Sequence, residues 1–391
     1  MKLLSSPDRI AFADLVEKAF DADFDEAFPE NGKFEKQSRR GREYWYYRGY
    51  ERSSSDKKGR QTLKYVGPID DPEITKRVER FGRVRTSYRQ RRELASRLRQ
   101  AGLPSPFQIE GEVTSALAKA GLFRLRAPLI GSIAFQTYGG MLGVKLAEAH
   151  YRTDDLDVAQ FYGLAIYLDD KLPDIEGILK AVDNSFVPIF NPTHPNVVLG
   201  YRNALGFKVE FLTPNRGDEK LEQTVVKLPA LGNVGAQVLR YLDFLIRNPV
   251  RSVMLHDAGV GVLVPAPARY AIHKLIVATL RGSNGEDPSK AIKDIEQSTS
   301  LIEALTQVKQ STDLGMAWIE AWERGPSWKR RLATGALRLG DDAFTKLSEA
   351  VAVAARLNGN IPDEFAITQG RDGMISWIAD RFPQSQALSN K

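Results

Sequence analysis

Three carboxylates lie in two stretches of the chain that both look extended, and together they are suited to binding a divalent cation. Residues 153–157 read TDDLD, so in a strand Asp155 and Asp157 project to one face while Leu156 points to the other. Glu210 lies in the apolar run VEFL, where a charge is costly unless it is paired or bound to a metal. Because neighbouring carboxylates repel each other, we expect a cation between them.

Magnesium is the cation that this donor set favours, and manganese is the substitute. Mg²⁺ prefers oxygen ligands and takes the rest of its shell from water and substrate phosphates. Two such ions about 4 Å apart can activate an attacking hydroxyl and hold a leaving pyrophosphate. The structural alternative is that Asp154 caps a turn and that Asp155 and Asp157 are simply solvated.

A strand that turns into a helix provides a second candidate site. In LIGSIAF, Gly131 and Ser132 stand where the apolar strand ends and the helix begins. Glycine lets the backbone approach a ligand closely, and the free N–H groups of a helix start, with a serine hydroxyl, suit a phosphate. The alternative is that Ser132 is only a helix N-cap.

The elements that must position these residues alternate between strand and helix. The patterns predict a helix from Ser6, a hairpin of Tyr44–Tyr50 and Thr62–Val66, basic helices over residues 72–103, and a helix over 108–120. Strands and helices then alternate up to residue 214, and from residue 228 onward the pattern is mainly helical except for GVGVLVPAP.

We therefore predict an α+β fold, and the family resemblance of its motifs implies a core in which a mixed twisted sheet has flanking helices. A basic helix and hairpin region precedes this core, and a helical domain follows it. The corresponding boundaries are residues 1–104, 105–265 and 266–391.

Composition limits the class of protein. The chain has 391 residues, of which 42% are hydrophobic, and it contains no cysteine, which excludes disulfides, thiolate zinc sites and cysteine nucleophiles. No apolar run approaches the roughly 18 residues of a membrane span, and charged residues interrupt the N-terminus where a signal peptide would be apolar. We expect a soluble, cytoplasmic protein without a membrane partner.

The basic residues are concentrated near the N-terminus. Residues 33–100 contain 6 Lys and 15 Arg against 9 acidic residues, a net charge of +12, which leaves −6 for the remainder. Arginines next to aromatic residues can hold phosphates while rings stack on bases, so RNA or DNA is the expected partner. The candidate nucleic-acid-binding residues are Arg39, Arg40, Arg42, Tyr44 and Tyr46. Alternatively, the cations are solvated and the rings pack the hairpin against a neighbouring domain.

The pattern Gly131-Ser132, Asp155-Leu156-Asp157 and Glu210 resembles the nucleotidyltransferase superfamily typified by DNA polymerase beta. More narrowly, the chain resembles a little-characterised bacterial family of nucleotidyltransferase-fold proteins over roughly residues 10 to 310. The motifs of that resemblance are an aromatic hairpin ending in Tyr-Val-Gly-Pro, Gly-Ser-x-Ala-Phe, Thr-x-Asp-h-Asp, Phe-Leu-Thr-Pro and Lys-Ala-x-Lys-Asp.

The resemblance implies roles for these residues. Asp155, Asp157 and Glu210 would be the catalytic metal ligands, and Gly131-Ser132 would bind the nucleotide. Related toxin-type enzymes use a lysine and a supporting aspartate on successive helices, and the residues at those places, with a nearby arginine, are Lys274, Asp294 and Arg281.

The expected reaction is metal-dependent transfer of a nucleoside monophosphate from an NTP, such as ATP, to an acceptor hydroxyl on RNA, including a tRNA end. Two alternatives remain open: a catalytically silent nucleic-acid-binding or regulatory protein, and a toxin or defence enzyme that nucleotidylates a protein or small molecule. A regulatory protein partner is compatible with the last of these.

Overall fold

The computed structural model describes residues 1–27, 32–39, 41–51, 60–81, 88–147, 154–163, 171–215, 225–281 and 288–383. The chain divides into two compact units. The larger unit comprises Leu4–Met141 and Tyr151–Val264, and the smaller unit comprises Met1–Leu3, Leu142–His150 and Pro265–Lys391. The division into residues 1–104, 105–265 and 266–391 stays a prediction.

The larger unit begins with helices around a small antiparallel sheet. In chain order the elements are α1 (Ser6–Ala27), β2 (Lys33–Arg39), β3 (Arg42–Glu51), β4 (Arg60–Pro68), α2 (Pro72–Arg80) and α3 (Tyr88–Gln100); strand β1 belongs to the smaller unit. Strand β3 lies between β2 and β4. Asp71 caps α2, since its side chain accepts hydrogen bonds from the N–H groups of Glu73 and Ile74. Helices α1 and α3 bury apolar residues, including Leu15 and Leu98, in a common core.

A mixed sheet of seven strands is the centre of the larger unit. Its strands are β5 (Leu129–Ile130), β7 (Asp155–Ala159), β8 (Val187–Phe190), β9 (Val198–Arg202), β10 (Lys208–Pro214), β11 (Val225–Leu228) and β12 (Val234–Leu239). Strand β10 is parallel to β7 on one side and to β12 on the other, while β9 pairs antiparallel with its first half. Strand β5 is antiparallel to β7.

Helices and a hairpin complete this unit. They are α4 (Gln108–Ala120), α5 (Gly131–Leu142), α6 (Ile175–Val182), α7 (Leu242–Leu245), β13 (Val250–Met254) and β14 (Val260–Val264). Helix α4 ends at Gly121, whose φ of 102° provides the left-handed conformation that stops many helices. The predicted α+β class with a mixed sheet is therefore confirmed.

The smaller unit is helical apart from one pair of short strands, β1 (Lys2–Leu3) and β6 (Val144–Lys145). Its helices are α8 (Pro267–Ala278), α9 (Pro288–Gln307), α10 (Ser311–Trp322), α11 (Pro326–Ala336), α12 (Asp341–Leu357) and α13 (Gly370–Arg381). Prolines at the first position of α8, α9 and α11 suit helix starts, where the missing N–H has no partner to lose. In the described part of the chain, no helix is long and apolar enough to cross a membrane.

The stretch from residue 228 is mainly helical, as expected, and GVGVLVPAP contains the strand β14. Two further strands, β12 and β13, were not predicted. Short apolar runs such as VGAQVL fit a buried strand and a buried helix equally well. Residues 234–239 form the strand β12 because pairing with β10 provides hydrogen-bond partners for their backbone N–H and C=O groups. Strand β2 was also missed, whereas the hairpin of β3 and β4 and the helix over 108–120 are confirmed.

Candidate active site

The backbone register brings the three predicted carboxylates onto neighbouring strands. Asp157 on β7 is the parallel partner of Glu210 on β10, and Asp155 is the partner of Lys208. The alternate residues Leu156 and Val209 are fully buried, whereas the three acids are only half-buried. Since side chains alternate between the faces of a strand, the acids share the face opposite the core.

Gly131 lies next to Asp157 on the side of β7 that pairs with β5. Strand β5 ends with Ile130 opposite Asp157, and α5 begins at the next residue. Gly131 has a φ of 68°, and a Cβ there would lie 2.7 Å from Oδ2 of Asp157. The left-handed φ favours glycine at this position, and the start of α5 lies directly against the carboxylate. Ser132 follows in the first helical turn and is partly exposed, a position that suits an anion.

The other neighbour of Glu210 has no side chain. Its antiparallel partner on β9 is Gly200, where a Cβ would lie 2.4 Å from the carbonyl oxygen of Val209. Glycine is required because the backbones approach so closely, and its presence leaves space beside the Glu210 carboxylate. Among the described residues, the side chain of Glu210 makes no ion pair.

The donor set suits magnesium, although the side chains are not gathered around one point. Across the described ranges, no three His, Cys, Asp or Glu side chains stand close enough together to hold a metal ion. Adjacent strands are ~4.8 Å apart and alternate residues about 6.6 Å apart, distances that side-chain rotation alone can bridge. The fit to Mg²⁺ or Mn²⁺ therefore rests on three oxygen donors that share one face of two paired strands.

A fourth acid close to this row was missed in the sequence. Glu110 on α4 is fully buried, and its Oε2 accepts hydrogen bonds from Nε2 of Gln136 at 3.1 Å and from the N–H of Phe107 at 3.0 Å. Burial raises the pKa of Glu110, and the negative charges of Asp154 and Asp155 raise it further. The available signal was a glutamate three residues after Phe107, the spacing of a capping box.

In the smaller unit, the three predicted nucleotide-binding residues form one cluster. Asp294 on α9 is 3% exposed and accepts a hydrogen bond from Nζ of Lys274 on α8 at 2.5 Å. Nε of Arg281 reaches the other carboxylate oxygen of Asp294 at 3.4 Å. The ammonium group of Lys274 also lies 5.2 Å from the centre of the Tyr270 ring. One buried carboxylate therefore holds two cations.

His273 precedes Lys274 on α8 and is 9% exposed. Burial lowers its pKa to about 3, and the charge of Lys274 acts in the same direction. The side chain is therefore neutral at ordinary pH, as expected for a packed histidine.

Much of the basic N-terminal region is engaged inside the fold. Arg48 forms two hydrogen bonds with Glu35, at 2.8 and 2.6 Å. Arg77, 7% exposed, pairs with Asp21, and Arg97 pairs with Asp8. The net charge of the segment therefore overstates the charge that its surface offers to a partner.

The predicted nucleic-acid-binding residues fall into different environments. Tyr46 is only 1% exposed and packs edge-on against Tyr65, with 5.7 Å between ring centres, so a base cannot stack on it. Arg39 and Arg42 are opposite each other in the backbone register of β2 and β3, and both are exposed. Tyr44 is half-buried. Arg40 lies outside the described residues.

Comparison with known proteins supplies one match. Residues 108–323 match the model of a protein family described as "Nucleotidyltransferase". The match includes all three carboxylates, the start of α5 and the cluster around Asp294. No curated protein and no solved structure matches significantly.

Proposed function

Since the chain belongs to the nucleotidyltransferase family, we propose that it transfers a nucleoside monophosphate from an NTP to an acceptor hydroxyl in a metal-dependent reaction. The observation that supports this most strongly is the parallel register of Asp157 and Glu210, with Asp155 on the same face. Carboxylates gathered on one face repel each other, and a bound metal ion would relieve that repulsion.

The carboxylates have different roles in this proposal. Asp155, Asp157 and Glu210 would hold the metal ions. Bound magnesium would stabilise the phosphoryl oxygens electrostatically and would lower the pKa of the attacking hydroxyl. Glu210 also orients that hydroxyl or accepts its proton, for which the space left by Gly200 gives access.

The start of α5 binds phosphate in this proposal. Gly131 and Ser132 offer the backbone N–H groups and hydroxyl of the first turn of α5 to the β- and γ-phosphates. In the smaller unit, Lys274 and Arg281 remain candidate nucleotide-binding residues, and Asp294 fixes the direction of both side chains. In this proposal the rate comes from positioning and electrostatics, and no covalent enzyme intermediate forms.

RNA is the proposed acceptor. Arg39 and Arg42 are exposed at the tip of β2 and β3, in a region of high net positive charge. A polyanion placed there would gain phosphate contacts without breaking the internal pairs of Arg48 and Arg77. With Tyr46 buried, the surface holds the backbone of RNA rather than stacked bases.

The experiment is to incubate the protein with Mg²⁺ and each labelled NTP, first with total RNA and then with total protein. Label in the RNA pool that Asp157→Asn abolishes supports the proposal. Label in the protein pool alone identifies a protein-modifying enzyme instead. No label in either pool, together with binding of RNA, indicates the catalytically silent alternative.

A further inference from the structure

A pocket on the larger unit lies apart from the row of carboxylates. Its enclosed volume is about 160 Å³, or about 930 Å³ when the solvent space at its mouth is counted. Helices α1, α2 and α4, strand β4, the β13–β14 hairpin and the segment that follows α4 contribute to its walls. The apolar lining includes Phe20, Val66, Ile74, Phe123 and Leu263. Its charged lining consists of Arg77, Arg124, Arg126, Arg251 and Asp71.

On one wall the charges neutralise each other. Nε of Arg77 lies 2.8 Å from Asp21, and Nη1 of Arg251 lies 3.4 Å from Glu73. Asp71 caps α2 and also lies 3.8 Å from Arg251. The guanidinium groups of Arg77 and Arg251 both lie over the ring of Phe20, at 5.7 and 5.4 Å from its centre. This wall therefore offers little net charge to a ligand.

The other two arginines of the lining, Arg124 and Arg126, follow α4 in the chain. Arg124 donates a hydrogen bond to the carbonyl oxygen of Tyr65 at 2.6 Å. In the described part of the chain, the side chain of Arg126 makes no hydrogen bond and no ion pair. Its backbone has a φ of 55°, a left-handed conformation that costs about 1 kcal/mol for a residue other than glycine. Arg126 therefore lines a pocket that also has apolar walls, and it does so with a strained backbone and without an ion pair in the described part of the chain.

We propose that this pocket binds a small organic anion in which an acidic group is attached to a flat apolar ring. The acidic group pairs with Arg126, and the ring lies against Ile74, Phe123 and Leu263. The enclosed volume is below the roughly 300–1,000 Å³ of sites for drug-sized molecules, so the ligand is small. Arg126 precedes β5, whereas Gly131 follows it, so the pocket and the carboxylates lie at opposite ends of that strand. The inference does not depend on the proposed transferase function.

Naphthyl phosphate is the probe for this site, because it combines a flat apolar ring with an acidic group. Its affinity is measured by calorimetry on the full chain in EDTA, which removes metal-dependent binding. We expect it to bind more tightly than inorganic phosphate or naphthol alone. Arg126→Gly should weaken its binding by about 10-fold to 100-fold, the loss of one charge-assisted contact. Because glycine adopts a φ of 55° without strain, this variant should melt at or above the wild-type temperature.

Two controls separate the pocket from other cationic surfaces. Arg89→Gln removes an arginine that is 88% exposed and lies outside the pocket, and it should leave the affinity unchanged. Asp157→Asn should also leave it unchanged, which separates the pocket from the carboxylate site. Unchanged affinity in Arg126→Gly would overturn the proposal, as would the absence of binding to wild type or an affinity for naphthyl phosphate no greater than for its two halves.

Discussion

Asp294 and Asp157 are aspartates of the same chain, one in each compact unit, and their neighbours have opposite charge. Asp294 is almost completely buried and is held between Lys274 and Arg281. Asp157 is half-buried and stands beside Glu210, with Asp155 on the same face. The first aspartate completes an internal ion cluster, whereas the second extends a row of acids.

The two aspartates are therefore expected to contribute differently to the stability of the folded protein. Removal of the carboxylate of Asp294 leaves two cations without their common partner, which destabilises the folded state. Removal of one negative charge from the row of acids relieves repulsion when no metal is bound. The same change weakens the binding of a metal ion. The same substitution therefore has opposite expected effects on stability in the two units.

The largest expected effect concerns activity at the row of acids. Asp155→Asn and Glu210→Gln should each reduce the rate of nucleotidyl transfer about 10³-fold or more, a rise of ~4 kcal/mol in the barrier, because each removes a ligand that stabilises transition-state charge. The rate is measured by transfer of label from the NTP. The matched control is Asp154→Asn, which changes the neighbouring exposed acid and should retain most of the activity. If Glu210→Gln transferred label at the wild-type rate, Glu210 would not be part of the active site.

The second effect concerns stability at the buried cluster. Asp294→Asn should lower the free energy of unfolding by about 3–5 kcal/mol, since Lys274 and Arg281 lose their common carboxylate in a buried environment. Chemical denaturation measures the change. The control Glu349→Gln alters an exposed acid of α12 and should change stability by less than about 0.5 kcal/mol. An equally small loss in Asp294→Asn would mean that the cluster does not stabilise the fold.

The third effect uses pH to sharpen the comparison. The unfolded chain protonates His273 below its ordinary pKa of 6.5, whereas the folded protein keeps it neutral down to about 3. The stability that neutral His273 provides is therefore complete above pH 6.5 and is lost as pH falls. Within this window the wild type should lose up to about 1.4 kcal/mol per pH unit more than His273→Gln. Denaturation curves at several pH values test this; parallel losses in both proteins would show that His273 is not kept neutral by the fold.

The smallest effect concerns the basic surface of the larger unit. If Arg39, Arg40 and Arg42 hold RNA phosphates, log affinity for single-stranded RNA should fall linearly with log salt concentration. Each phosphate contact with single-stranded RNA contributes roughly 0.7 to the slope, because binding releases a counterion. Changing all three arginines to alanine should therefore reduce the slope by about 2. Binding titrations across a salt series measure the slope.

The control for that experiment removes three exposed cations elsewhere, Lys119, Lys309 and Arg356. Their loss should leave the slope near the wild-type value. Equal flattening in both triple variants would point to general electrostatic attraction, and no RNA binding at low salt would contradict the proposed acceptor.

Local patterns in the sequence predict which strand face each acid takes, because strand periodicity is a short-range property. In TDDLD and VEFL, the alternation of charged and apolar residues already assigns Asp155, Asp157 and Glu210 to faces. The parallel pairing of β7 with β10 is seen only in the structure.

Features that depend on distant parts of the chain were not predictable in this way. Strand β12 is defined by its pairing with β10, and no period in VGAQVL distinguishes it from a helix. Glu110 is buried where α4 packs against α1, α6 and β14, and Tyr46 is buried against the ring of Tyr65 on the neighbouring strand. The net charge of residues 33–100 likewise gave no sign that Arg77 and Arg97 pair with acids of α1.

The most direct test of the central claim is a set of melting curves of wild type and Asp157→Asn, each with and without Mg²⁺ and NTP. Without metal, the variant should be as stable as wild type or more stable by up to about 1 kcal/mol, because a like-charge contact is relieved. Wild type should gain stability from Mg²⁺ with NTP, and the variant should gain little or none, since ligand binding stabilises only a competent site. A variant that melts lower without metal, yet gains as much from Mg²⁺ and NTP as wild type does, would contradict the assignment of Asp157 as a metal ligand.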